Sequence, residues 1–321
     1  MFVGLASGDL TKGDCTMFFL TGQRASLETI YALAKARLPA DQPASALQLR
    51  QAYLRTLHAI QPSVPIDLDA LITRLIDDAA CEAKLLRLFS VDCPLNDLGQ
   101  QEAIRAGVYS WETTRRELQA VRDVLTADPG ADSGVWRWFQ LVVHSVFCSH
   151  SDIASGGTTS AAVGVIWIKK PSAFERTDLK ELLLHEMTHT LMFLDEWRYG
   201  HYLDYPAIAR RENYALSPIL AKQRPLDKVV HALVVTAEIL SFRELHAGHP
   251  HGERRHPDSD RLIRAAEQSI ASVRGLPNIG QLLAPRACFL IGECEKRIRS
   301  LKATGEPLGR PGASRSPAPA S

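Results

Sequence analysis

His185, Glu186 and His189 are spaced HExxH within the run LKELLLHEMTHTLMFLDEWRY, residues 179–199. No Pro or Gly interrupts the run before Gly200, and its apolar content predicts a helix. Residues four apart stand one above the other on a helix face. Two imidazoles placed this way can close on one metal ion from the same side. Glu186 is turned about 100° from His185 at roughly 3.6 residues per turn. Its carboxylate can therefore stand beside the ion, next to a water or a substrate.

Two imidazoles hold a metal weakly, so a third donor is required. Asp195 would complete an HExxH-x5-Asp pattern, but that geometry needs a Gly to break the helix, and Met192 stands there instead. On an unbroken helix Asp195 points about 240° away from His189 at about 100° per residue. A second predicted helix, DKVVHALVVTAEILSFREL over 227–245, is apolar almost all round and hence buried. It carries His231 and Glu238, which a core admits only with a partner or a task. Glu238 would give the His, His, Glu set found in zinc peptidases, and His231 would give three imidazoles. Residue types alone leave both open. His144 and His150 are further candidates. The His-rich segment HAGHPHGERRHP, 246–257, is expected to be an exposed loop.

The elements that must position these groups are mostly helices. Apolar spacing predicts helices over 25–38, 44–60, 68–89 and 100–125, with Asp67 and Asn96 as N-caps. The turn-rich stretch 128–134 follows. It lacks the 12-residue loop with a terminal Glu that calcium requires. VWRWFQLVVHSVF, 135–147, reads as a strand from its aromatic and β-branched residues, with a helix as the alternative, and 163–168 reads as a second strand. A strand beside an HExxH helix can hold an extended substrate along its edge by main-chain hydrogen bonds. Residues 200–226 form a long irregular connection of the kind that serves as a lid or binding loop. Two helices follow, over 261–273 and 284–301. The expected fold is mainly α, of the α+β kind, with a zincin-like HExxH helix and a small sheet. The expected organisation is an N-terminal helical region over 1–130, a metal-binding catalytic region over 131–301, and a disordered tail over 302–321.

Composition narrows the partners. The 321 residues carry 37 basic and 36 acidic side chains, a balance that points to neither nucleic acid nor an anionic membrane. Six cysteines without a CxxC pair suit a reducing compartment and argue against a cysteine-ligated zinc. The start of the chain lacks the pattern of a secretory signal, and no run has the roughly 18–20 apolar residues that cross a bilayer. The expectation is a cytoplasmic protein.

The run YALSPILAKQRPLDKVVHA, 214–232, placed after LKELLLHEMTH, resembles the HExxH-type peptide β-hydroxylases of ribosomal-peptide biosynthesis. That family shows a Leu-rich approach to HExxH, then Ser-Pro, Arg-Pro-Leu and a helical His. The likeness spans about 163–245. Ile219-Leu220 replaces the Trp-Arg that usually follows Ser-Pro there, and the first 130 residues lie outside the likeness. The resemblance implies an iron(II)- and 2-oxoglutarate-dependent dioxygenase with iron ligands His185, His189 and His231. It further implies Arg224 as a clamp for the 2-oxoglutarate carboxylate and an amino-acid or peptide substrate. A three-ligand site leaves room for a 2-oxo acid and dioxygen, and a guanidinium fork suits a carboxylate. The alternative is a zinc metallopeptidase with Glu186 as general base and Glu238 or His231 as third ligand.

Overall fold

The structure, a computed structural model, describes residues 21–39, 44–89, 109–126, 133–152, 154–250 and 254–303. The expected Asn96 cap, most of the 128–134 turn and the chain beyond 303 lie outside them. The described residues are mainly helical with a small sheet.

Helices α1 (Gln23–Ala34) and α2 (Ala46–Ile60) pair at the start of the described chain. Ser45 and Gln48 close a reciprocal capping box, Gln48 N–H to Ser45 Oγ at 3.2 Å and Ser45 N–H to Gln48 Oε1 at 2.8 Å. Two donors that a helix start leaves unsatisfied are thereby paired. Strand β1 (Arg74–Leu75), helix α3 (Ala79–Phe89) and helix α4 (Trp111–Leu125) come next. The helix expected from 68 begins only at Ala79. Leu71 and Ile72 are 62% and 58% exposed, so the apolar pair that suggested an earlier helical face points mostly to solvent. Asp67 caps no helix; its carboxylate accepts the Asp69 N–H in a turn.

The stretch expected to be one strand over 135–147 divides into helix α5 (Ser133–Val142) and strand β2 (Ser145–Cys148). Arg137 is exposed and Gln140 half-buried, while Val135, Trp136, Phe139 and Val142 are buried. A polar pair three apart opposite an apolar face is helical periodicity. Aromatic content had outweighed it in the strand expectation. Strands β3 (Gly156–Gly157) and β4 (Val165–Ile168) complete a sheet ordered β1-β2-β4-β3. The first three strands run parallel and β3 lies antiparallel at the edge. Val146, Ile166 and Ile168 join the main core from one face of this sheet. Phe147, Val165 and Trp167 join a smaller cluster with Leu85, Leu86 and Phe89 of α3 on the other. Coverage on both faces explains why β2 and β4 are buried at every position.

The HExxH helix is α6 (Arg176–Tyr199), ended by Gly200 at φ 69° with its N–H donated to Glu196 O at 2.8 Å. Only glycine adopts such a φ readily. The 200–226 connection holds a short helix, α7 (Tyr205–Ile208), and a two-residue hairpin, β5 (Ala215–Leu216) with β6 (Gln223–Arg224). Helix α8 (Leu226–Phe242) is buried along nearly its whole length, as its all-round apolar sequence predicts. It packs against α6 on one side and against α9 (Ser259–Arg274) and α11 (Pro285–Ala303) on others, with α10 (Ile279–Leu282) between the last two in sequence. One continuous core runs from Ile30 of α1 to Leu301 of α11. No helix among the described residues is long and apolar enough to cross a membrane.

Candidate metal centre

On α6, His185 Nε2 and His189 Nε2 face each other at 3.1 Å. Two nitrogens each about 2.0–2.1 Å from one ion stand about 2.9 Å apart at an octahedral edge and about 3.4 Å at a tetrahedral one. The observed spacing falls between those limits. Among the described residues, His185, Glu186 and His189 form a group whose ligand atoms all lie within 4.8 Å of one another. The helical spacing thus brings the pair and its intervening carboxylate together as the sequence predicts.

Packing of α8 on α6 adds a third imidazole. His231 Nδ1 lies 3.1 Å from His189 Nδ1, with the two rings 24° from parallel. His231 therefore adjoins the group through His189, on the ring nitrogen of His189 opposite the one facing His185. Its other ring contact is Phe193, with centroids 5.0 Å apart. Glu238, two turns along the same helix, is buried; burial first, and the Glu238 charge after it, raise the thiol of Cys294 on α11. Arg224 is buried on β6, at the entry to α8.

Electrostatics keep these rings neutral. Burial holds His185, His189 and His231 well below the ordinary imidazole range. His256 adds to the effect at His185; at His189 the neighbouring His185 and His231, then Lys228 and Arg224, add to it. A metal ligand must be a neutral imidazole with a free lone pair, and that is the form burial selects. Burial pushes Glu186 up to about 8, against a hydrogen bond from Thr158 Oγ1 to its Oε2 at 3.3 Å. The edge strand approaches Glu186 closely. A Cβ at Gly156 would stand 3.4 Å from Glu186 Oε1 and 3.1 Å from Trp167 O, and one at Gly157 would stand 2.5 Å from Trp167 Nε1.

Other candidates fall elsewhere. Asp195 is buried in an ion-paired cluster, accepting from His201 Nε2 at 2.8 Å and from both prongs of Arg286 at 2.7 and 2.8 Å. His144 is buried beside Ser145, its Nδ1 2.9 Å from Ser145 Oγ, and burial lowers it to about 3. His150 pairs with Asp152 at 2.9 Å.

The His-rich loop yields the residue that sequence reasoning missed. His256 is 5% exposed, not on the surface, and its Nε2 lies 3.1 Å from His185 Nδ1. Its Nδ1 faces Glu181 Oε2 at 3.2 Å, and Arg243 grips the same carboxylate at 2.7 and 2.9 Å. Arg243 also donates to Pro257 O at 2.8 Å and Ser259 Oγ at 3.2 Å, which ties the His256 loop into the core. The density of histidines was the available signal. Polar and turn residues around them argued for exposure, and a buried arginine thirteen positions upstream reverses that. No known family model matches the chain, and neither does any curated protein.

Proposed function

We propose that this chain is an iron(II)- and 2-oxoglutarate-dependent oxygenase that hydroxylates a carbon of an amino acid or peptidyl residue in peptide natural-product biosynthesis. The observation that carries the proposal is the His185–His189 pair, whose Nε2 atoms stand 3.1 Å apart beside the Glu186 carboxylate; His231 adjoins the pair at His189 Nδ1 and would turn its ring to reach the same ion. His185, His189 and His231 would hold the ion, and Arg224 would hold the cosubstrate carboxylate. Arg224 suits that part as a buried cation whose charge is felt at His189. Iron(II) with 2-oxoglutarate supplies the dioxygen activation that an unactivated C–H bond requires. The protein's part is to keep three rings neutral, exclude water, and orient the substrate. Glu186, which accepts a hydrogen bond from Thr158, would receive a substrate N–H.

A second reading has its own support. The Glu186 carboxylate lies within 4.8 Å of both inner imidazole donors, where it could take the proton of an attacking water in a zinc hydrolase. Anaerobic addition of iron(II) and 2-oxoglutarate separates the two. The oxygenase gives a visible charge-transfer band and the hydrolase none. Glu186→Gln leaves the band in place but abolishes a hydrolase. His231→Ala should lower bound metal to a small fraction of the wild-type stoichiometry while Glu238→Gln retains it; the opposite outcome moves the third ligand to Glu238.

A further inference from the structure

Behind His185 stands a buried row of groups that the proposed chemistry does not use: His256, Glu181 and Arg243. Relative exposures are 5%, 1% and 0%. A neutral imidazole carries one proton. If Nε2 is to give its lone pair to an ion, the proton must sit on Nδ1 and needs an acceptor there. At His185 Nδ1 the neighbour is His256 Nε2, at 3.1 Å, with the ring planes 17° apart. His256 can accept only when its own proton is on Nδ1. That nitrogen faces the Glu181 carboxylate at 3.2 Å. Glu181 in turn is fixed by the two-pronged Arg243 contact. Although burial pushes the Glu181 carboxyl upward, the hydrogen bonds from His256 and Arg243 outweigh it and keep the group ionised.

We infer that His256 is a positioning residue: the Glu181–His256 pair locks His185 in its Nδ1–H tautomer and so aims His185 Nε2 at the metal. The inference rests on the metal-centre reading. The two outer imidazoles then have different tasks. A carboxylate anchors His256 from behind, so its ring cannot swing toward the ion. Among the described residues the ring contacts of His231 are with His189 and Phe193, and no carboxylate holds it from behind as Glu181 holds His256.

The test uses the full chain with cobalt(II) as probe. Long-range proton–nitrogen correlation spectra of the metal-free protein should show His185 protonated at Nδ1. His256→Ala should mix the tautomers and weaken cobalt(II) binding about 10- to 100-fold. His256→Gln keeps an acceptor for His185 and should restore both tautomer and affinity. The visible spectrum of bound cobalt(II) should follow the same order, whereas a merely structural role would change the melting temperature and leave tautomer and spectrum alone. A wild-type His185 protonated at Nε2, or equal cobalt(II) affinity in wild type and His256→Ala, overturns the inference alone. A wild-type chain that takes up no cobalt(II) overturns the metal-centre reading beneath it.

Discussion

At Glu186 two effects oppose each other, and burial prevails. The Thr158 hydroxyl donates to the carboxylate and favours its charged form, yet removal from water pushes it up to about 8. In the metal-free protein, the infrared carboxyl band of Glu186 should therefore titrate near pH 8. Thr158→Val deletes the one favourable hydrogen bond and should raise that midpoint further. A midpoint that falls, or stays fixed, would show that Thr158 does not govern this group. Gly157 is a second residue whose smallness matters. Gly157→Ala sets a Cβ 2.5 Å from the indole of Trp167, an overlap that must be relieved by moving a core tryptophan. Overpacking of this sort costs about 1–3 kcal/mol, measurable as a lower urea midpoint with an unchanged slope.

Elements carry the next set of consequences. Arg243, at the end of α8, binds Glu181 of α6, the backbone at Pro257 and Ser259 at the start of α9. It therefore joins the helix with the HExxH pair to the helix that brings the third imidazole. Arg243→Met leaves buried Glu181 with His256 but without its cation, a loss of up to about 3–5 kcal/mol. Pairing it with Glu181→Leu should recover part of that loss. A single-variant cost under about 1 kcal/mol would show that the carboxylate finds water instead. Helix α6 and helix α8 could both be read from the sequence, because each is a long apolar run with few breakers. Strand β4 could be read for a related reason, being a short apolar run closed by Pro171. The boundary between α5 and β2 could not. VWRWFQLVV suits either state by residue type, and only Arg137 and Gln140 mark the helical face. His185, Glu186 and His189 were legible since their geometry is local. The Glu181–Arg243 pair, 62 positions apart, and the His185–His256 contact, 71 apart, arise from helix packing that no local pattern encodes.

Among the described residues, four histidines are held in neutral form, His144 and His231 buried and His185 and His189 half-buried. Unfolded, each takes up a proton near pH 6.5; folded, each resists it, His144 down to about 3. At these rings the unfolded chain thus binds more protons between those values, and their contribution to stability falls as pH drops through that window. Each group contributes a slope of up to about 1.4 kcal/mol per pH unit. Glu186, pushed up to about 8, acts in the opposite sense across the same window. Urea midpoints of metal-free Glu186→Gln should therefore decline more steeply from pH 7 to pH 5 than those of the wild type, and equal profiles would mean that burial does not hold the Glu186 proton. Metal at about 100 times its dissociation constant should add about 2.7 kcal/mol, raising the melting temperature by roughly 5 °C. The uninterrupted core from α1 to α11 carries one more consequence. The helices that meet at the imidazoles are held together by tightly packed hydrocarbon and by the arginine clamp, not by the ion. A chelator should then empty the protein without unravelling it, and the same molecules should reload on dialysis. On the proposed reading the ion would be a passenger in a scaffold already standing, in contrast to small zinc domains that collapse when stripped.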